Sequence, residues 1–179
     1  MSVNRERLEQ KLLELPLYEY AFLSPEELTF SERVRTVCRE ECPMYNKSWA
    51  CPPAVGEVSD CIARCRGYTG CLMISTITEV ADAANMELTL ATRPAHEEIT
   101  RQVRALLLEE ADEVYVLSTE ACAICEQCAW PDEPCRHPDR MFPCVESHGI
   151  LVTDLAERRG IDFLAGSNLV TWFSLLFYR

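Results

Sequence analysis

A chain of 179 residues is long enough to close a hydrophobic core without covalent staples, and 48% apolar with 26% charged residues excludes a disordered or low-complexity chain. Its formal charge of −12 speaks against nonspecific binding to nucleic acid or anionic lipid, which relies on Lys and Arg neutralising phosphate; solvated carboxylates on helix faces account for the acidity. No stretch approaches the roughly 20 apolar residues of a membrane span, and Met1 to Gln10 is polar with no apolar run behind it, so a single cytoplasmic domain over residues 1–179 is expected.

Between Arg5 and Leu15, the residues Leu8, Leu12, Leu13 and Leu15 recur at near-helical spacing among charged neighbours, which predicts an amphipathic helix ending before Pro16. Ser24-Pro25-Glu26-Glu27 reads as an N-cap, a proline at the first helical position and acidic residues at the positive end of the helix dipole. Cys38 to Pro53 lacks periodicity and is expected to be a loop. Ser59 is predicted to cap a short helix to Arg66 stopped by Gly67, and Cys71 to Thr76 a strand. Pro94 to Ala111 is the clearest helix, with Ile99, Val103, Leu106, Leu107 and Ala111 on one stripe. Val114 to Ser118 reads as a buried strand, Val152 to Arg159 as a helix stopped by Gly160, and Leu169 to Tyr178 as a final strand. Strands separated by helices predict an α/β fold: a small, partly parallel sheet with flanking helices and two cysteine-rich metal-binding loops.

Eleven cysteines, an odd number, in a chain without a secretory signal argue against a disulfide framework, because a reducing compartment keeps thiols free. Metal ligation is the use that remains. Cys122, Cys125 and Cys128 recur every third residue, and Cys135 follows after six more. Three thiolates at this spacing can point from a tight turn into one concavity, and a more distant fourth closes the set, which is the logic of 4Fe-4S cluster loops. A single structural zinc is the alternative, although such sites usually show two separated pairs of ligands. Glu126, Gln127, Asp132 and Glu133 within the run speak against apolar packing. Arg136 and His137 follow directly and are candidates for tuning an anionic cluster without ligating it, since nearby cations and N–H donors raise its reduction potential. For Arg140 that role and a solvated surface turn are equal readings.

In the first half, Cys38 and Cys42 are four residues apart, as on one face of a helical turn, and Cys51 returns after a loop containing Tyr45, Lys47 and Trp49. Three clustered thiolates can hold a metal or a second cluster while leaving one position open, where substrates or water bind in metal enzymes. The alternative is a closed structural site completed by Cys61, Cys65 or Cys144. Cys71, at the start of a strand, reads as core; for Cys61 and Cys65 packing and ligation stay equally open. His96 is expected to be exposed, and His148 receives no ligand assignment. With no Gly-x-Gly-x-x-Gly phosphate loop, nucleotide or flavin binding has no support.

Taken together, Cys38, Cys42-Pro43, Tyr45, Trp49 and Cys51-Pro52-Pro53, then Cys122, Cys125, Cys128, Pro134-Cys135-Arg136-His137-Pro138, Met141, Pro143, Glu146 and Gly149-Ile150, form a specific motif pair that spans most of the chain. The chain resembles a family of small cysteine-rich proteins, common in anaerobic microbes, described as predicted metal-binding proteins of unknown function. What the resemblance implies is metal binding, iron-sulfur in kind, and little about reaction. The chain departs from it at Cys144, where the family pattern has serine, which makes Cys144 a candidate extra ligand or a thiol particular to this chain.

Three readings follow. The leading one is an iron-sulfur protein, with one closed cluster at Cys122, Cys125, Cys128 and Cys135 and a three-cysteine site at Cys38, Cys42 and Cys51, the closed cluster passing electrons to the open site or to a redox partner protein. The second is an enzyme using open iron at the three-cysteine site, with Tyr45, Lys47 and His137 as candidate acids and bases. The third is a zinc-stapled interaction module.

Overall fold

The computed structural model describes residues 3–163 and 165–179. Helix α1 (Arg5–Leu12) begins where the Asn4 side chain accepts from the Arg7 amide, and it buries Leu8 and Leu12. Strand β1 (Glu19–Leu23) follows, and then Ser24 and Glu27 form the capping box expected around the turn Pro25–Glu27. Helix α2 (Glu32–Glu40) takes in Cys38, so that residue stands in a last helical turn rather than in the loop expected there. Helix α3 (Val58–Arg66) ends at Gly67 as read, though Glu57 and not Ser59 is its N-cap. Strand β2 (Gly70–Glu79), α4 (Met86–Ala91), α5 (Arg93–Leu108) and β3 (Val114–Ser118) come next. Helix α6 (Val152–Arg159) stops at Gly160 in the left-handed region, φ 64°, and β4 (Leu169–Tyr178) ends the fold.

The sheet order is β1-β2-β4-β3, and each neighbouring pair is antiparallel. This corrects the partly parallel sheet expected from alternating strands and helices. Strands β2 and β3 do run in the same direction, with α4 and α5 between them, but β4 inserts into the gap and pairs with both. A parallel crossover becomes two antiparallel ladders once the last strand fills the space it leaves.

Side chains alternate across the strands, so both faces of the sheet carry apolar rows that need cover. Cys71, Met73, Phe173, Leu175 and Phe177 pack with Cys65 of α3 and with Leu155 and Ala156 of α6. On the opposite face, Leu72, Ile74, Leu176 and Tyr178 meet Leu8 and Leu12 of α1 and Val103 and Leu107 of α5. Burial on both faces explains why β4 reads as an almost unbroken apolar run. Among the described residues no helix is long and apolar enough to cross a membrane.

His96 is not exposed, as its two glutamate neighbours implied, but 2% accessible beneath α5. Its Nδ1 pairs with the Thr76 hydroxyl at 2.8 Å and its Nε2 with the Ser174 hydroxyl at 2.8 Å. Burial, reinforced by the nearby Arg93 charge and opposed by a backbone hydrogen bond at Phe173, lowers its pKa from 6.5 to about 3. The unfolded chain therefore takes up a proton below about pH 6.5 that the native protein refuses, so this stabilisation is complete above that pH and is lost as pH falls toward 3. Replacing His96→Gln is expected to flatten the slope of stability against pH between 6 and 4 by up to about 1.4 kcal/mol per pH unit, measured by urea unfolding. Equal slopes in the two proteins would refute the assignment.

Candidate metal centre

The cysteine-rich segments leave the ends of α2 and β3 and interlock. The Trp49 and Trp130 rings meet edge to face, 4.7 Å between centroids at 82°. Each indole donates across the junction: Trp49 Nε1 to the Glu133 carbonyl at 3.0 Å, and Trp130 Nε1 to Asn46 Oδ1 at 2.9 Å. The Cys144 amide donates to the Ala50 carbonyl at 2.9 Å, beside Cys51. Cys144 is also bridged to Ser118 at the end of β3.

Cys122, Cys125, Cys128 and Cys135 line one small cavity of about 20 Å³, and Arg136, His137 and Trp49 share its wall. The four thiols grouped by spacing alone are thus brought together, with the two residues read as tuning groups beside them. Arg140 is not in this wall; its amide closes a turn onto the His137 carbonyl at 3.1 Å. Burial raises the pKa of Cys128, but hydrogen bonds from the backbone at Trp130, Trp49 and Ala129 and from the Ser48 hydroxyl outweigh it, so the net shift is downward. Donors to the sulfur favour the thiolate over the thiol, and the thiolate is the form that ligates metal. Burial pushes Cys122 the other way, with the backbone at Ile124 opposing. Cys122, Cys125 and Cys128 also border an outer groove of about 570 Å³ with Lys47 and Arg93. Among the described residues no three His, Cys, Asp or Glu side chains are gathered tightly enough to hold a single metal ion.

The first-half cysteines line a different and roomier cavity of about 220 Å³. Cys38 reaches it from the last turn of α2, Cys42 from beyond the helix end, and Cys51 from the loop. Tyr45, Cys144 and Glu146 complete much of the wall. Cys51 is buried, and that burial, with the charges of Cys42 and Cys38 added and Arg93 opposing, raises its pKa to about 12. The charge of Cys122 is also felt at Cys51, so the two thiol sets adjoin. Glu120 and Ala121 stand between them, lining both the roomier cavity and the outer groove. Of the acids and bases named for an enzyme, only Tyr45 faces the three-cysteine cavity. Lys47 borders the outer groove and His137 the small cavity.

The open alternatives for the other thiols resolve toward packing. Cys65 and Cys71 lie in the apolar core, and Cys61 faces the Val55 carbonyl and Arg35. His148 faces neither thiol set; its ring is fixed between the Tyr115 hydroxyl at 2.8 Å and the Cys144 carbonyl at 3.0 Å.

One residue of the site escaped sequence reasoning. Arg93, only 2% accessible, donates from Nε to the Thr119 carbonyl at 3.0 Å, from Nη2 to the Glu120 carbonyl at 3.3 Å, and from Nη1 to the Ala121 carbonyl. It also pairs with Glu97 Oε1 at 2.8 Å. The only trace in the sequence is the i, i+4 spacing of Arg93 and Glu97, which a solvated helix face would show equally.

These features define a cysteine-rich α/β protein with two adjoining thiol-lined cavities. The chain belongs to the family described as "Predicted metal-binding protein (DUF2284)", whose model matches residues 21–178. No curated protein and no solved structure matches it.

Removing Arg93 leaves Glu97 buried and three loop carbonyls without their donor. Arg93→Met is expected to lower the unfolding free energy by about 3–5 kcal/mol in urea titrations. Arg93→Lys should recover only a small part, since a point charge does not fork to three carbonyls. A loss below about 1 kcal/mol for Arg93→Met would show that the clamp is dispensable.

Proposed function

We propose that this is an iron-sulfur protein that transfers electrons to a partner protein, with a 4Fe-4S cluster at Cys122, Cys125, Cys128 and Cys135 and a second metal group at Cys38, Cys42 and Cys51. The observation that carries the reading is the shared cavity of the four second-half thiols, with N–H and O–H donors around Cys128. Donors to sulfur stabilise an anionic thiolate-bound group and set its potential. Such a cluster, when bound, supplies one-electron chemistry. Arg136 and His137 contribute polar groups to the wall, and Trp49 screens the cavity where the loops cross. Structural zinc sites usually show two separated pairs of ligands, whereas a close triplet of cysteines with a more distant fourth suits a polynuclear group. Adjacency of the two thiol sets, with the buried Arg93 guanidinium near both, supports exchange of electrons between them.

Two rivals each have one observation. The small cavity, about 20 Å³, favours a single zinc and a purely structural role. The roomier one, lined by three first-half thiols and Tyr45, favours an enzyme with an open metal position.

Purification without oxygen, followed by iron, zinc and acid-labile sulfide analysis and a visible spectrum, separates these readings. About eight irons with matching sulfide are expected for two clusters, and about four for one. Cys128→Ser is expected to remove one cluster and Cys51→Ser the other. A colourless protein with zinc and no sulfide would end the iron-sulfur reading and leave the zinc module.

A further inference from the structure

We infer that Cys144 is the fourth thiolate of the first-half site, so that this site is closed by a ligand from the other half of the chain. The inference rests on the proposal that Cys38, Cys42 and Cys51 hold a metal group, and it adds the residue that completes it. Three thiolates leave one position of a tetrahedral ion or one corner of a cube unfilled. Cys144 borders the same cavity as those three. The other thiols outside the two sets do not: Cys65 and Cys71 are enclosed by the apolar core, and Cys61 is turned toward Arg35 and the Val55 carbonyl.

Separate ties bring Cys144 to the first-half thiols. Its amide is bonded to the Ala50 carbonyl, which sets its backbone against that of Cys51. Arg35, on the helix that carries Cys38, donates from Nη2 to the Ser147 carbonyl at 2.6 Å and from Nη1 to the Gly56 carbonyl at 2.8 Å. The Cys38 sulfur itself lies 4.0 Å from the Glu146 carbonyl. The helix of Cys38, the loop of Cys51 and the segment of Cys144 are therefore held as one unit around the cavity.

The immediate partner of the Cys144 thiol is Glu146 Oε2, at 2.8 Å. A thiol donating to a carboxylate beside three more thiols is a polar arrangement, which apolar packing does not require. Ligation would break the S–H bond, release its proton to solvent, form a metal–sulfur bond in place of that single hydrogen bond, and leave Glu146 on the cavity wall as an acceptor. It would also clamp two segments far apart in sequence, so metal binding would contribute directly to tertiary stability.

The test uses full-length protein purified without oxygen. A four-iron cube lacking a thiolate at one corner sheds that iron on mild ferricyanide oxidation and gives the paramagnetic resonance signal of a three-iron cluster. The native protein is expected to give no such signal, whereas Cys144→Ala should give it and lose one iron per chain. Cys61→Ala, another buried thiol, should behave as native. With zinc in place of a cluster, Cys144→Ala should yield that zinc to a chelator that leaves the native site loaded. A three-iron signal from the native protein, or identical native and Cys144→Ala behaviour with either metal, overturns the inference. Should Cys144→Ala fail to fold, Cys144→Ser preserves the volume, and the native oxidation result decides by itself. If Cys51→Ser leaves the metal content unchanged, the site is not a metal site, and the underlying proposal falls together with the inference.

Discussion

Three consecutive carbonyls, of Thr119, Glu120 and Ala121, follow the end of β3, and the buried guanidinium of Arg93 donates to all three. Buried peptide carbonyls require donors, and a planar fork meets several at once where a single amide cannot. The arrangement also holds Glu120 at φ 66°, a left-handed conformation uncommon for a residue with a side chain. Glu97, one helical turn along α5, balances the charge. Because Glu120 and Ala121 stand between the two thiol sets, the geometry of both depends on this one contact between a helix and a loop.

Around that wall the halves of the chain exchange support. Trp49 and Trp130 each donate to the other's loop, and the amide of Cys144 reaches the backbone beside Cys51. The two thiol sets differ in consequence. Cys128 is surrounded by donors that favour thiolate, whereas burial and the neighbouring Cys42 and Cys38 resist ionisation of Cys51. In a chain of formal charge −12, the buried guanidinium of Arg93 is a cation whose charge is felt at both Cys51 and Cys122.

Much of the fold was legible because its longer elements carry strong periods. Helix α5 has an apolar stripe, β3 and β4 are apolar runs bounded by polar turns, and Gly160 stops α6 in the one conformation that favours glycine. Three elements are marked more weakly. Helix α2 and the short α4 bury none of their residues, and β1 is short and only half-buried. The charged neighbours of His96 indicated solvent, but helix packing turned that face onto the polar patch formed by Thr76, Ser174 and Thr100. Strand direction was not legible either, because inserting β4 between β2 and β3 changes no local pattern.

From the sequence by itself came the grouping of the cysteines, for Cys122, Cys125, Cys128 and Cys135 sit close enough along the chain that local turns alone can bring them together. The same holds for Cys38, Cys42 and Cys51. Only the tertiary structure placed Cys144 on the wall of the first-half cavity, turned Cys61 and Cys65 away from both cavities, and set the buried Arg93 against the loop between them. Spacing limits which side chains a short loop can gather, but contacts between distant segments follow from how sheet, helices and loops are packed, and no local pattern encodes that.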